Sequence, residues 1–220
     1  MQVIVLVTQK GGSGKSTLAI GLAIAAMDVG QRVGLIEADP QGTITNWGRR
    51  RANPKPRIER VDSGVAIERA VFHLRRDGYS VAIIDTSATN NLLSTSGIGV
   101  ADLCLIPVRP SPADIEAAAP TLSTVRRLDK RFAFILNQAP SRSNRVSEAA
   151  IALGAAGVLA LPYIVQRNDH QDALGVGLGV IEYDPHGKAA EEVRELWRWV
   201  SKSLATESFD HGQTAIRAAG

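Results

Sequence analysis

Short apolar runs rich in Val and Ile recur along the chain at positions 3–7, 33–36, 81–84, 103–108 and 132–136, separated by stretches of helix-compatible composition. Runs of this length read as strands buried on both faces, and their alternation with helical segments predicts one α/β domain: a mainly parallel, twisted sheet with helices on both faces. A final helix is predicted over about 187–204. Val193, Leu196, Trp197 and Val200 form its packing face, and Arg194, Arg198 and Lys202 recur every four residues as a basic stripe. The domain is expected to span 1–205. The remainder, 206–220, is polar and rich in small residues and is expected to be a disordered tail.

In open parallel sheets ligands bind beyond the carboxyl ends of the strands, so the polar residues that follow each run carry the chemistry. The first run leads into QKGGSGKST at 9–17 and then into the helix-like stretch 18–27. A strand, a glycine-rich loop and a helix in that order make a phosphate cradle. Gly11, Gly12 and Gly14 let the backbone around Ser13 curl until successive N–H groups point inward at a positive helix N-terminus. Lys15 would reach the β- and γ-phosphates, the Ser16 hydroxyl would ligate Mg²⁺, and Thr17 completes the loop. The third run ends in VAIIDTSA, which sets Asp85 where a carboxylate can hold Mg²⁺ opposite Ser16.

The ordinary phosphate-loop pattern opens with glycine, whereas this chain has Gln9 there and a second lysine, Lys10, ahead of the glycine pair. KGGSGKST is the deviant Walker A form. Through it the chain resembles the ParA/MinD family of P-loop ATPases, and most of all the small, ParF-like partition ATPases that lack an N-terminal DNA-binding domain. The resemblance covers 1 to about 205. It implies a single-domain P-loop NTPase that binds ATP with Mg²⁺ and hydrolyses it slowly under stimulation by a partner. It also implies a homodimer closed on ATP, in which Lys10 crosses to the partner's phosphates.

Further roles rest on the same resemblance. In GLIEADPQG the aspartate before Pro-Gln, Asp39, corresponds to the residue associated with the attacking water; two residues earlier, where relatives often have aspartate, this chain has Glu37. The loop 86–91 corresponds to a switch near the γ-phosphate. PVRPSPAD, at 107–114, matches a proline-rich segment near dimer and higher-order contacts, with Asp114 as an interface candidate; simple helix capping by Ser111 or Asp114 competes with that reading. Asn137, after the fifth run, corresponds to an asparagine near the adenine base, against the alternative that it only makes a turn. LPYIVQRND, at 161–169, resembles the segment that closes over adenine, with Pro162 packing on the ring and Gln166 and Arg167 facing nucleotide, second monomer or DNA. The stripe Arg194, Arg198 and Lys202 falls where family members bind DNA without regard to sequence; a solvated face paired with Glu191 and Glu195 is the alternative.

Composition limits the alternatives. With a net charge of +3, the chain is only modestly basic, which permits nucleic-acid binding without requiring it. Arg49, Arg50, Arg51, Lys55, Arg57 and Arg60 cluster between 43 and 60, a solvated surface or a contact for DNA or a partner. One cysteine, Cys104, leaves no pair for a shared iron–sulfur cluster, and the last tyrosine, Tyr183, leaves no C-terminal tyrosine cluster for a kinase of this fold. A MinD-like membrane-associated ATPase would need an amphipathic C-terminal helix, and 206–220 offers only Phe209 and Ile216 as large apolar groups. No leader peptide, membrane insertion or N-terminal helix-turn-helix is expected. The expected role is ATP-dependent segregation of a plasmid or chromosome by a cytoplasmic, nucleoid-associated protein working with a ParB-type or other adaptor. Positioning of a protein cargo, such as a chemoreceptor array or enzyme compartment, is the alternative.

Overall fold

The computed structural model describes residues 1–88 and 91–206, the side chain of Asn91 excepted. The expected tail, from 207 on, and the centre of the expected switch loop lie outside the described residues. In chain order the elements are β1 (Gln2–Leu6), α1 (Lys15–Asp28), β2 (Val33–Ala38), α2 (Thr43–Arg50), β3 (Arg57–Arg60), α3 (Gly64–Arg76), β4 (Val81–Thr86), α4 (Asn91–Val100) and β5 (Leu103–Val108). They continue with α5 (Pro112–Ala117), α6 (Ala119–Arg127), β6 (Phe132–Leu136), α7 (Asn144–Ala156), β7 (Leu159–Ala160), α8 (Asp169–Gly175), α9 (Val180–Tyr183) and α10 (Lys188–Ala205).

The strands form one seven-stranded sheet in the order β3-β2-β4-β1-β5-β6-β7, with every pairing parallel. Alternate residues of each strand feed two separate cores, as the two-residue period of a strand requires. Ile4, Leu6, Leu35, Ile83, Leu105 and Ile135 face α1, α2, α8, α9 and α10. Val3, Val5, Ile36, Ala82, Ile84, Cys104, Ile106 and Phe134 face α3, α4, α6 and α7. Helix α1 is apolar almost all round, from Leu18 to Ala26, because it is sandwiched between the sheet and α10.

The five strands expected from apolar runs are present, and two more flank them. Strand β3 was hidden in the charged stretch: it is an edge strand whose residues are half-buried or exposed, so Arg57, Glu59 and Arg60 break the apolar signature. Strand β7 spans only two residues. Helix α10 lies within a residue of its expected bounds.

Part of the basic cluster at the end of α2 is committed to internal contacts. The side chain of Arg51 is 2% exposed, and its guanidinium donates to both oxygens of Glu182 at 2.6 and 2.7 Å and to the Gly177 carbonyl at 2.9 Å while lying 4.7 Å from the Trp47 ring centroid. Arg50 donates to the Leu174 carbonyl, and the Trp47 indole N–H donates to the Leu178 carbonyl at 3.1 Å. The glycine-rich run 175–179 is therefore clamped to α2. Gly177, with φ 75°, sits against the backbone of Arg50 and Arg51, where no side chain would fit.

Candidate functional site

The phosphate loop rises from the end of β1 at the middle of the sheet, between β4 and β5. Gly12 and Gly14 have φ of 74° and 88°, a conformation that glycine adopts without the steric cost borne by other residues. Gly14 is the N-cap of α1 and supplies no side-chain cap, so the first-turn N–H groups of α1 are left for an anion at the positive end of the helix dipole. The Lys15 ammonium, buried in this loop, donates to the Thr8 carbonyl at 3.3 Å. Burial lowers its pKa, opposed by the negative charges of Asp85 and Asp39. An ammonium held this way gains strongly from a phosphate beside it.

Strand pairing brings the carboxylates to the same place. Asp85 lies in register with Leu6 on one side and Glu37 on the other. The Ser16 hydroxyl donates to one Asp85 oxygen at 2.6 Å, while the other, Oδ1, is buried without a hydrogen-bond partner among the described residues. Burial pushes the Asp85 carboxyl up to about 7, against the Ser16 hydrogen bond and the charge of Lys15. A hydroxyl and an orphaned carboxylate oxygen side by side suit a divalent cation that takes its remaining ligands from phosphate and water. Among the described residues no three His, Cys, Asp or Glu gather into a dedicated metal cage.

Glu37 and Asp39 divide roles at the end of β2. Glu37 is fully buried and accepts from the backbone N–H of Ile44 at 2.6 Å and of Thr45 at 3.1 Å, and from the Thr45 hydroxyl. It caps α2, whose own N-cap, Gly42, has no side chain to do so. Asp39 is half-exposed; one of its oxygens accepts from the Gln41 N–H at 3.0 Å, and it stands close enough to Lys15 to act on its charge.

Behind the loop, the Asn137 amide donates to the Ser13 carbonyl at 2.7 Å and the Gln138 amide to the Gly12 carbonyl at 2.9 Å. Both residues stand just past the end of β6, and Gln138 there has a left-handed backbone, φ 51°. Asn137 therefore braces the phosphate loop, a role absent from the sequence reading. It also lines a cavity of about 160 Å³ with Thr17, Leu18, Gln166, Asn168 and His170. Pro162, joined by a cis peptide to Leu161, is not among the cavity's lining residues. Arg167 lines it too but is held by Glu192 of α10 at 2.5 Å, an internal partner that the sequence did not reveal.

Two other groups of site residues are placed as follows. Ser111 caps α5 by accepting from the Asp114 N–H, and the buried Asp114 carboxylate accepts from Ser111 and, at 2.9 Å, from Arg109. Burial works against its ionisation, but those bonds and the charges of Arg109 and Lys10 hold it below the usual carboxylate range. On α10, Arg194 donates to Asp28 at 2.9 Å and to the Pro185 carbonyl at 2.7 Å, tying the helix to α1, and Arg198 lies 3.7 Å from Glu195. Arg194 is thus committed internally, whereas Arg198 is exposed and paired only loosely, and Lys202 is exposed as well.

Comparison with known proteins gives the family and the fold. The profile of the VirC1 protein family matches residues 1–153. The chain belongs to the VirC1 family. It is 31% identical over 131 residues to protein virC1 of Rhizobium radiobacter, covering 57% of this chain and 55% of that one. A longer match, 27% identical over 198 residues, spans 85% of this chain and 90% of the maintenance of carboxysome distribution protein A of Halothiobacillus neapolitanus. Its fold is that of the septum site-determining protein MinD from Pyrococcus horikoshii complexed with Mg-ADP, with TM-score 0.72 and 17% identity over 93% of this chain and 97% of that one. The resemblance to the ParA/MinD type drawn from KGGSGKST holds across the fold.

Proposed function

We propose that this VirC1-family chain is a positioning ATPase: it binds ATP with Mg²⁺, closes into a homodimer, rides non-specific DNA in that state, and is released when an adaptor stimulates hydrolysis to ADP and phosphate. The observation that carries the reading is the buried, unpartnered Asp85 oxygen beside Ser16, set against a glycine loop with two lysines. The α1 N–H groups and Lys15 bind the phosphates, and Asp39 positions the attacking water. When bound, Mg²⁺ held by Ser16 and Asp85 would neutralise charge on the β- and γ-phosphates. Asn137 and Gln138 hold the loop in shape, so little reorganisation accompanies binding. Lys10 crosses to the partner's phosphates, so the nucleotide selects the dimer only if it interacts better with that state.

The cargo divides into two readings. Plasmid or chromosome segregation with a ParB-type adaptor is the first. The match along most of the chain to a carboxysome distribution protein favours a protein assembly as the second. Both share one test: retention of the protein on non-specific duplex DNA at two salt concentrations, with ATP, ADP or no nucleotide, for wild type and Lys10→Ala. Salt-sensitive retention with ATP alone, lost in Lys10→Ala, supports the DNA-riding dimer. Equal or absent retention in every nucleotide state refutes it and turns the search to a membrane or protein surface. Arg198 and Lys202 are the proposed phosphate contacts, Arg194 being held by Asp28 and the Pro185 carbonyl; neutralising both should flatten the slope of log affinity against log salt by about 2.

A further inference from the structure

On the β5 side of the phosphate loop, between α4 and α6, lies a second cavity of about 190 Å³. It has room for several waters at roughly 30 Å³ each. Val7 and Gln9, which lead into the phosphate loop, form part of its wall. Its polar groups differ in how they are engaged. Ser94 donates to the Ser87 carbonyl at 3.1 Å and Thr124 to the Pro120 carbonyl at 3.1 Å. Thr121, only 2% exposed, has a buried hydroxyl with no hydrogen-bond partner among the described residues. Arg127 lines the same cavity and makes no hydrogen bond or ion pair with the described residues, in contrast to its neighbour Arg126, which is engaged with the Ala156 carbonyl at 2.7 Å. Among the described residues no carboxylate lines the cavity.

We propose that this cavity is a second oxyanion site, in which Thr121 and Arg127 bind a tetrahedral anion of the size of phosphate. A buried hydroxyl left unpaired is costly unless something satisfies it. A guanidinium and a hydroxyl as donors, with no acidic group among the described lining residues, select an anion. The position also suits the reaction. The wall shared with Val7 and Gln9 puts the cavity next to the loop that would hold the γ-phosphate, so product phosphate and phosphate from solution are the two possible sources. The cavity does not depend on the ATPase reading, whereas supply from the reaction does.

The test is titration of inorganic phosphate into full-length protein already saturated with a non-hydrolysable ATP analogue and Mg²⁺, followed by calorimetry. Failure of the analogue to bind would sink the phosphate-loop reading at the outset, separately from this one. The expected result is one further site, weakened at least tenfold by Arg127→Gln and by Thr121→Val. Arg127 is exposed, so its variant folds even if the buried Thr121→Val does not. Absence of phosphate binding, or binding that both folded variants retain unchanged, overturns the proposal. A second arm assigns the source. If product occupies the site, phosphate release after a single turnover should lag cleavage in wild type and lose that lag in Arg127→Gln; release kinetics unaltered by the variant would assign the site to phosphate from solution.

Discussion

The Asn137 side-chain amide donates to the backbone carbonyl of Ser13 at 2.7 Å, joining the end of β6 to the phosphate loop across 124 residues of sequence. The bond is buried, and the same amide nitrogen occupies the space that a side chain at position 14 would need. The loop is thus shaped from outside as well as by its own glycines.

Asn137→Ala should therefore loosen the loop without removing any phosphate donor. Leaving a buried carbonyl unpaired costs about 1–3 kcal/mol, so nucleotide affinity should fall by about tenfold. Titration with a fluorescent ATP analogue measures this. Unchanged affinity would show that Gly12 and Gly14 hold the loop alone.

Arg51 and Glu182 carry a second prediction. The Arg51 side chain is 2% exposed and that of Glu182 27%, so removing either strands the other largely out of water. Arg51→Ala and Glu182→Ala should each lower stability by about 2–4 kcal/mol, slightly less than for a fully buried pair. The double variant should cost clearly less than the sum, with coupling on the order of 1–3 kcal/mol. Urea midpoints of the four proteins check it, and simple additivity would contradict the clamp between α2 and α9.

His170 gives the chain a pH dependence. Burial lowers its pKa from 6.5, with Glu192 and Asp169 opposing and Arg167 assisting. Below 6.5 the unfolded chain takes up a proton that the folded chain does not, so the stability at stake is complete above 6.5 and lost as pH falls through and below that value. Wild type should lose more stability than His170→Gln between about pH 7.5 and pH 5.5, the interval in which an unperturbed histidine titrates. Equal losses would mean that His170 is not shielded from water.

What could be read in advance follows from locality. The five central strands and the phosphate loop are coded by contiguous residues, because strands buried on both faces must be apolar and the loop must be glycine-rich. Strand β3 escaped because an edge strand tolerates Arg57, Glu59 and Arg60, and β7 because two residues make no pattern. In the site, Lys15, Ser16 and Asp85 declare themselves through a short motif and a strand end. The partners of Glu37 lie only seven and eight residues away, but the glutamate itself looks like a departure from the family pattern rather than a helix cap. The brace from Asn137 and Gln138, the Arg51–Glu182 clamp and the Arg167–Glu192 pair join residues distant in sequence, and no local pattern announces them.

The measurement closest to the central claim is calorimetric titration of wild type and Lys15→Ala with a non-hydrolysable ATP analogue and Mg²⁺. Wild type should bind one analogue per chain. The variant loses a buried, charge-assisted contact worth about 1.5–3 kcal/mol or more, so its affinity should fall by at least about tenfold. Equal affinity in the two proteins would contradict the assignment of residues 9–17 as the phosphate-binding loop.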